Sequence, residues 1–95
     1  MSSLQLVFSP RAQERLSQIS EYLSKQGLPD PFVVEYLNQF ELWLNKVLLE
    51  FPESGIELKE HGQGIRKVCY KKYSFVYRLT VSHIEILTVF RENLP

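Results

Sequence analysis

The segment Gly64–Leu79, GIRKVCYKKYSFVYRL, carries five cations (Arg66, Lys67, Lys71, Lys72, Arg78), four aromatic rings and no carboxylate. An arginine offers a charge that persists at any physiological pH and a planar set of donors, and a lysine offers a compact point charge. Side chains of these types hold anions: the carboxylates of an acidic polypeptide or the phosphates of a nucleic acid. A solvated strand face that uses lysines for solubility is the plainer reading of the same pattern.

Other chemistry is weakly signalled. His61, His83 and Cys69 lack the spacing of a zinc site, and no glycine-rich phosphate loop precedes a helix, so neither a metal nor a nucleotide cofactor is expected. Cys69 with a histidine could be drawn as a nucleophile and base, but a cysteine inside a strand reads as a small packing residue. The neighbours Glu60 and His61 form a weak general acid/base candidate, because loop residues of those types are common.

The cations stand out because the whole chain is neutral, with 11 Lys and Arg against 11 Asp and Glu. Up to Gly55 there are four basic residues against seven acidic ones, and from Ile56 onward the numbers reverse. The molecule is therefore expected to be electrically two-sided, with its C-terminal part favouring an acidic partner. At 95 residues it has room for one domain, 1–95, around one modest core. No apolar run reaches the ~18 residues of a membrane helix. Met1-Ser2-Ser3 leads directly into a strand pattern rather than a secretory leader, and there is a single cysteine, so the expected location is cytoplasmic.

The elements that must position these cations are well punctuated. Leu4–Phe8 reads as a short buried strand, and Ser9-Pro10 as a helix cap followed by proline in the first turn. Ala12, Leu16, Ile19 and Leu23 recur at helical spacing until Gly27 stops the helix. After the connector Leu28-Pro29, Asp30-Pro31 repeats the cap signal for a longer helix. Its apolar stripe runs Val33, Tyr36/Leu37, Phe40, Trp43/Leu44, Val47/Leu48 and Phe51, and Pro52 ends it. Phe40 and Trp43 read as core. The stretch 53–63 reads as a loop with a short extended piece at Ile56-Glu57-Leu58. Three strands follow, Gly64–Tyr70, Tyr73–Thr80 and His83 to about Phe90, turning at Lys71-Lys72 and Val81-Ser82. In the middle strand Tyr73, Phe75, Tyr77 and Leu79 point one way and Ser74, Val76, Arg78 and Thr80 the other, so one face packs on helices and the other is more open. The expected fold is α+β, in the order β-α-α-β-β-β, with an antiparallel sheet covered on one face by a helical hairpin.

The order of elements, together with several motifs, resembles the ParE/RelE superfamily of toxins from bacterial type II toxin–antitoxin systems. The motifs are Ser-Pro-x-Ala after the first strand, the register of Leu16, Ile19, Tyr22 and Leu23, Phe51-Pro-Glu-Ser-Gly55, Gly64-Ile-Arg66, Tyr73-Ser-Phe-Val-Tyr77-Arg78, and Ile84 to Arg91. The resemblance spans essentially the whole chain. It implies an acidic antitoxin that folds over the toxin's helices and sheet. It also implies one of two mechanisms. RelE-like members cleave messenger RNA on the ribosome, and their usual arginine followed by a late tyrosine or histidine is only half present here: Arg91 precedes Glu92-Asn93-Leu94-Pro95. Tyr70 and His83 are then the further candidates for moving a proton. ParE-like members poison DNA gyrase by binding, without catalysis of their own. Gly64-Ile-Arg66 and Tyr73–Arg78 favour that branch, although Phe90 stands where many members have histidine. The resemblance thus implies a binding toxin, with a ribosome-dependent RNase and a non-toxic antitoxin-binding module as alternatives. Arg66, Lys67, Arg78 and Arg91 are its candidate partner-binding residues.

Overall fold

Residues 4–91 are described by the computed structural model; the sequence features at Met1–Ser3 and Glu92–Pro95 lie outside them. The elements run β1 (Gln5–Phe8), α1 (Pro10–Lys25), α2 (Asp30–Glu50), β2 (Ile56–Glu57), a single 3-10 turn at Lys59–His61, β3 (Ile65–Tyr70), β4 (Tyr73–Leu79) and β5 (His83–Arg91). They form one five-stranded sheet in the order β1-β5-β4-β3-β2 with both helices on one face. The expected fold is thus observed, with one refinement. The meander from β2 to β5 is antiparallel, whereas β1 pairs parallel to β5, making the sheet mixed. Four residues of β1 have no sequence neighbour to pair with, and they take the outer edge of the longest strand.

Both helix starts follow from their sequences, though not in the same way. The Ser9 hydroxyl accepts a hydrogen bond from the Ala12 N–H at 3.0 Å, the cap that Ser9-Pro10 signals. Asp30, expected to cap α2, is instead the first helical residue and makes no capping hydrogen bond. Its carboxylate acts there through the positive end of the helix dipole. Phe51, expected at the end of the α2 stripe, leaves the helix at φ −129° and lies exposed.

The core is built from alternation. Tyr73, Phe75 and Tyr77 of β4 and Ile84, Ile86 and Val89 of β5 meet Ala12 of α1 and Phe40, Leu44 and Leu48 of α2. Phe40 lies at its centre, within 5.2–6.0 Å of the rings of Tyr36, Tyr70, Tyr73 and Phe75. Trp43 stacks on Tyr70 at 4.5 Å with the planes 11° apart. Burying these side chains contributes roughly 1.5–3 kcal/mol each, which holds the sheet rigid beneath its open face.

Candidate functional site

The open face is laid out by strand register. Residues directly opposite on paired strands share a face, so Lys67, Val76 and Thr88 form one row and Ile65, Arg78 and Glu85 another, on the side away from the helices. Between them a bulge interrupts β5: Val76 faces Thr88 while Tyr77 faces Ile86, leaving Leu87 unpaired. The Leu87 carbonyl accepts a hydrogen bond from the Ser9 hydroxyl at 2.9 Å, the same hydroxyl that caps α1. One serine therefore fixes the first turn of α1 against the bulge and carries Arg11 to the rim of the open face.

The result is a groove of about 540 Å³. Its floor is apolar (Ile65, Val76, Leu87, Phe90), and Arg11, His61, Lys67 and Arg78 stand around it. Arg78 lies 4.0 Å from the Glu85 carboxylate, with the arginine exposed and the glutamate half-buried. His61, at the end of the 3-10 turn, has its Nε2 3.8 Å from Glu60 Oε1. Such a surface can attract and orient an anion, and a histidine at its edge is chemically able to exchange a proton.

Of the six residues singled out from the sequence, only Lys67 and Arg78 share this groove. Arg66 lies on the opposite face, beside its cross-strand neighbour Tyr77. Its Nη1 donates to the carbonyls of Glu53 at 3.1 Å and Gly55 at 2.9 Å. The Tyr77 hydroxyl donates to the Pro52 carbonyl at 2.7 Å and accepts from the Gly55 N–H at 3.0 Å. Arg66 and Tyr77 thus clamp the loop after α2. A side chain at Gly55 would sit 2.6 Å from the Tyr77 hydroxyl, so the clamp closes only over glycine. Burial pushes the Tyr77 hydroxyl above its ordinary pKa, against the opposing pull of the Gly55 hydrogen bond and the Arg66 charge.

Arg91 ends β5 opposite Tyr73, at the far end of the sheet. There it helps line a second cavity with Tyr22, Tyr36, Tyr73 and the β3–β4 turn. Burial raises the pKa of Tyr36 and Tyr73, and the Arg91 charge works in the opposite direction on both. Tyr70 is committed to its stack on Trp43. His83 opens β5 just after the β4–β5 turn, where its Nδ1 meets the Ser82 hydroxyl at 2.7 Å. The structure therefore brings neither of these two to the groove, and supplies Arg11 and His61 instead. Arg11 carried no sequence signal, because only the Ser9 contact with the bulge places it. His61 carried only the weak acid/base signal of its pairing with Glu60 in a loop.

Among the described residues no three His, Cys, Asp or Glu side chains cluster as a metal site requires, and no helix is long and apolar enough to cross a membrane. No family model and no curated relative matches the chain. Solved structures do. A chain of the chromosomal ParDE TA system from P. aeruginosa superposes with a TM-score of 0.75 and 16% identity, over 94% of this chain and 96% of that one. A chain of the RelBE2 toxin-antitoxin complex from Mycobacterium tuberculosis superposes with a TM-score of 0.63 and 18% identity, over 97% and 94%. At such identities the likeness establishes the fold, which is the RelE/ParE-like fold the sequence motifs anticipate; function rests on the site.

Proposed function

We propose that this chain is the toxin of a type II toxin–antitoxin pair, a cytoplasmic protein silenced by an acidic antitoxin, and that it halts growth by binding DNA gyrase without catalysis of its own. Support for the toxin reading comes from the shared fold together with the two-sided charge. One observation carries binding over cleavage: Tyr70 and His83, the proton-transfer candidates, are held away from the cationic groove by the Trp43 stack and the Ser82 contact. What remains at the groove is an apolar floor ringed by cations, a surface suited to recognising a protein or a protein–nucleic-acid complex.

Induction of the chain alone in a bacterial host is expected to stop division and produce filaments, and co-expression of the acidic protein encoded beside it is expected to restore growth. Normal growth at verified soluble expression would leave only an antitoxin-binding module. A second reading, the ribosome-dependent RNase, is favoured by His61 at the groove beside Arg11, Lys67 and Arg78. In that case a His61→Ala variant loses toxicity, whereas a gyrase-binding toxin keeps it.

A further inference from the structure

The sheet guards one of its two edges and leaves the other open. The β2 edge is only two residues long, Ile56–Glu57, and one of them is a carboxylate. Short, charged edges resist pairing with another chain. The β1 edge has neither protection. From Met1 to Pro10 the sequence holds no ionisable side chain, and Gln5–Phe8 contains no proline.

The hydrogen bonds to β5 decide which backbone groups β1 turns outward. The Gln5 N–H donates to the Ser82 carbonyl at 3.2 Å and the Ser9 N–H to the Ile86 carbonyl at 2.9 Å, so Gln5, Val7 and Ser9 direct their N–H groups to β5. The Leu6 N–H and C=O, the Phe8 N–H and the Leu4 and Phe8 carbonyls therefore point away from the sheet. Among the described residues one hydrogen bond meets this edge, from Gln13 Nε2 to the Phe8 carbonyl at 3.1 Å. The side chains around it are apolar. Val7, 37% exposed, stands on the open face, while Leu4, Leu6 and Phe8 are half-buried on the helix side.

The residues of this chain outside the structure do not reach the edge. Met1–Ser3 is too short to turn and return as a strand. The stretch Glu92–Pro95 spans at most ~14 Å when extended. It starts from Arg91, roughly 17 Å along β5 past Ile86, the partner of Phe8. An acidic segment finds no cation on β1, and the neighbour of Val7 across the sheet is Glu85. An uncharged edge whose donors and acceptors alternate is, by contrast, complementary to itself.

We infer that the β1 edge is a self-association surface, on which a second copy of this chain pairs its own β1 antiparallel about a two-fold axis at Leu6. That register uses the outward groups most fully. Leu6 and the partner's Leu6 exchange both of their hydrogen bonds, and each Phe8 N–H donates to the partner's Leu4 carbonyl. Val7 then faces the partner's Gln5 on the open face, and Leu4, Leu6 and Phe8 of the two copies form an apolar seam on the helix side. The axis stands perpendicular to the sheet, so both cationic grooves open on the same side of one continuous sheet. A target with two-fold symmetry would meet two grooves at once. The inference does not depend on the toxin reading.

An edge pairing of this length is a small interface, so the untagged full chain is followed by sedimentation velocity from ~10 µM to ~500 µM, with amide hydrogen exchange read by NMR at both ends of that range. A monomer–dimer equilibrium is expected, with the Leu6 and Phe8 amides exchanging several-fold more slowly at the higher concentration. The double variant Gln5→Lys/Val7→Lys sets lysines opposite each other across the seam, while the new side chain at position 7 faces Glu85 of its own copy. It should dimerise at least tenfold more weakly, and mixing it with Gln5→Glu/Val7→Glu should restore a dimer. A monomer throughout the range, a dimer whose Leu6 amide is not slowed, or dimerisation unchanged in the lysine variant would overturn the inference. So would protection of Leu6 only after the acidic protein encoded beside the chain is added, since the edge would then belong to another partner. The exchange measurement uses the parent chain alone, so it decides the matter even where a variant fails to fold.

Discussion

Replacing Tyr77 by Phe removes one oxygen atom and unlocks the loop after α2. The Tyr77 side chain is fully buried, and its hydroxyl satisfies the Pro52 carbonyl at 2.7 Å and the Gly55 N–H at 3.0 Å. A hydrogen bond contributes about 1 kcal/mol net, and a buried donor left without a partner costs about 1–3 kcal/mol. Gly55 is itself buried, so water does not readily replace the lost oxygen. The expected loss is therefore about 2–3 kcal/mol, or roughly 10–20 °C in Tm for a domain of this size. Arg66→Ala removes the other half of the clamp, two bonds from a half-buried side chain to the Glu53 and Gly55 carbonyls, and should cost about 1–2 kcal/mol. Since both side chains hold one loop, the double variant should lose less than the two losses added, with a coupling of at least about 0.5 kcal/mol. Urea unfolding of the four proteins measures all three free energies, and thermal unfolding gives the Tm. A Tm for Tyr77→Phe within about 3 °C of the parent, or strict additivity, would refute the clamp.

Arg78→Ala should behave oppositely to Arg66→Ala. Among the described residues its side chain meets only Glu85, at 4.0 Å and with both groups solvent-accessible, so unfolding should shift by no more than about 0.5 kcal/mol while toxicity on induction is lost. Lys72→Gly should raise stability by about 1 kcal/mol, because glycine adopts φ 71° without the steric cost, and thermal unfolding checks it. Raising pH should destabilise the fold. The Tyr77 pKa is raised above 10.0 chiefly by burial, so its contribution is whole below pH 10 and is lost as pH climbs through the folded value. Tyr36 and Tyr73, also raised, act in the same direction. Urea midpoints at pH 9 and pH 11 should therefore fall, and fall less in Tyr77→Phe.

The fold was largely legible because its signals are local. Ser9-Pro10, the helical stripes, the alternation from Tyr73 to Leu79 and the turns each depend on a few neighbouring residues, and the structure follows them to within a residue or so at most ends. Asp30 and Phe51 depart because a cap and a helix end are decided by one backbone torsion, which composition does not determine. The parallel pairing of β1 with β5 is a contact between the two ends of the chain, and no local pattern encodes it.

The candidate site was less legible for the same reason. The cluster Arg66–Arg78 looks like one feature in sequence, but strand alternation sends Arg66 to the clamp, Lys67 and Arg78 to the groove, and Lys71 to the aromatic wall of α2. The motifs Phe51–Gly55, Gly64–Arg66 and Tyr73–Arg78 have a physical explanation in common: each supplies part of the loop clamp and its close packing. Gly64 belongs to the same set, because φ +76° and a Leu79 carbonyl 2.9 Å from the place of a β-carbon leave no room for a side chain. Motifs that identify the fold are therefore partly motifs that build it. Arg11 and His61 reach the groove through the β5 bulge and a 3-10 turn, neither of which a residue-by-residue reading locates.

The measurement that bears most directly on a gyrase-binding toxin is a plasmid cleavage assay with purified gyrase, ATP and the purified chain, stopped with detergent and protease. The proposed function requires linear DNA to accumulate with the parent chain and with His61→Ala, and not with Arg78→Ala. Intact plasmid with the parent chain, together with His61-dependent cutting of message in a reconstituted translation reaction, would contradict it.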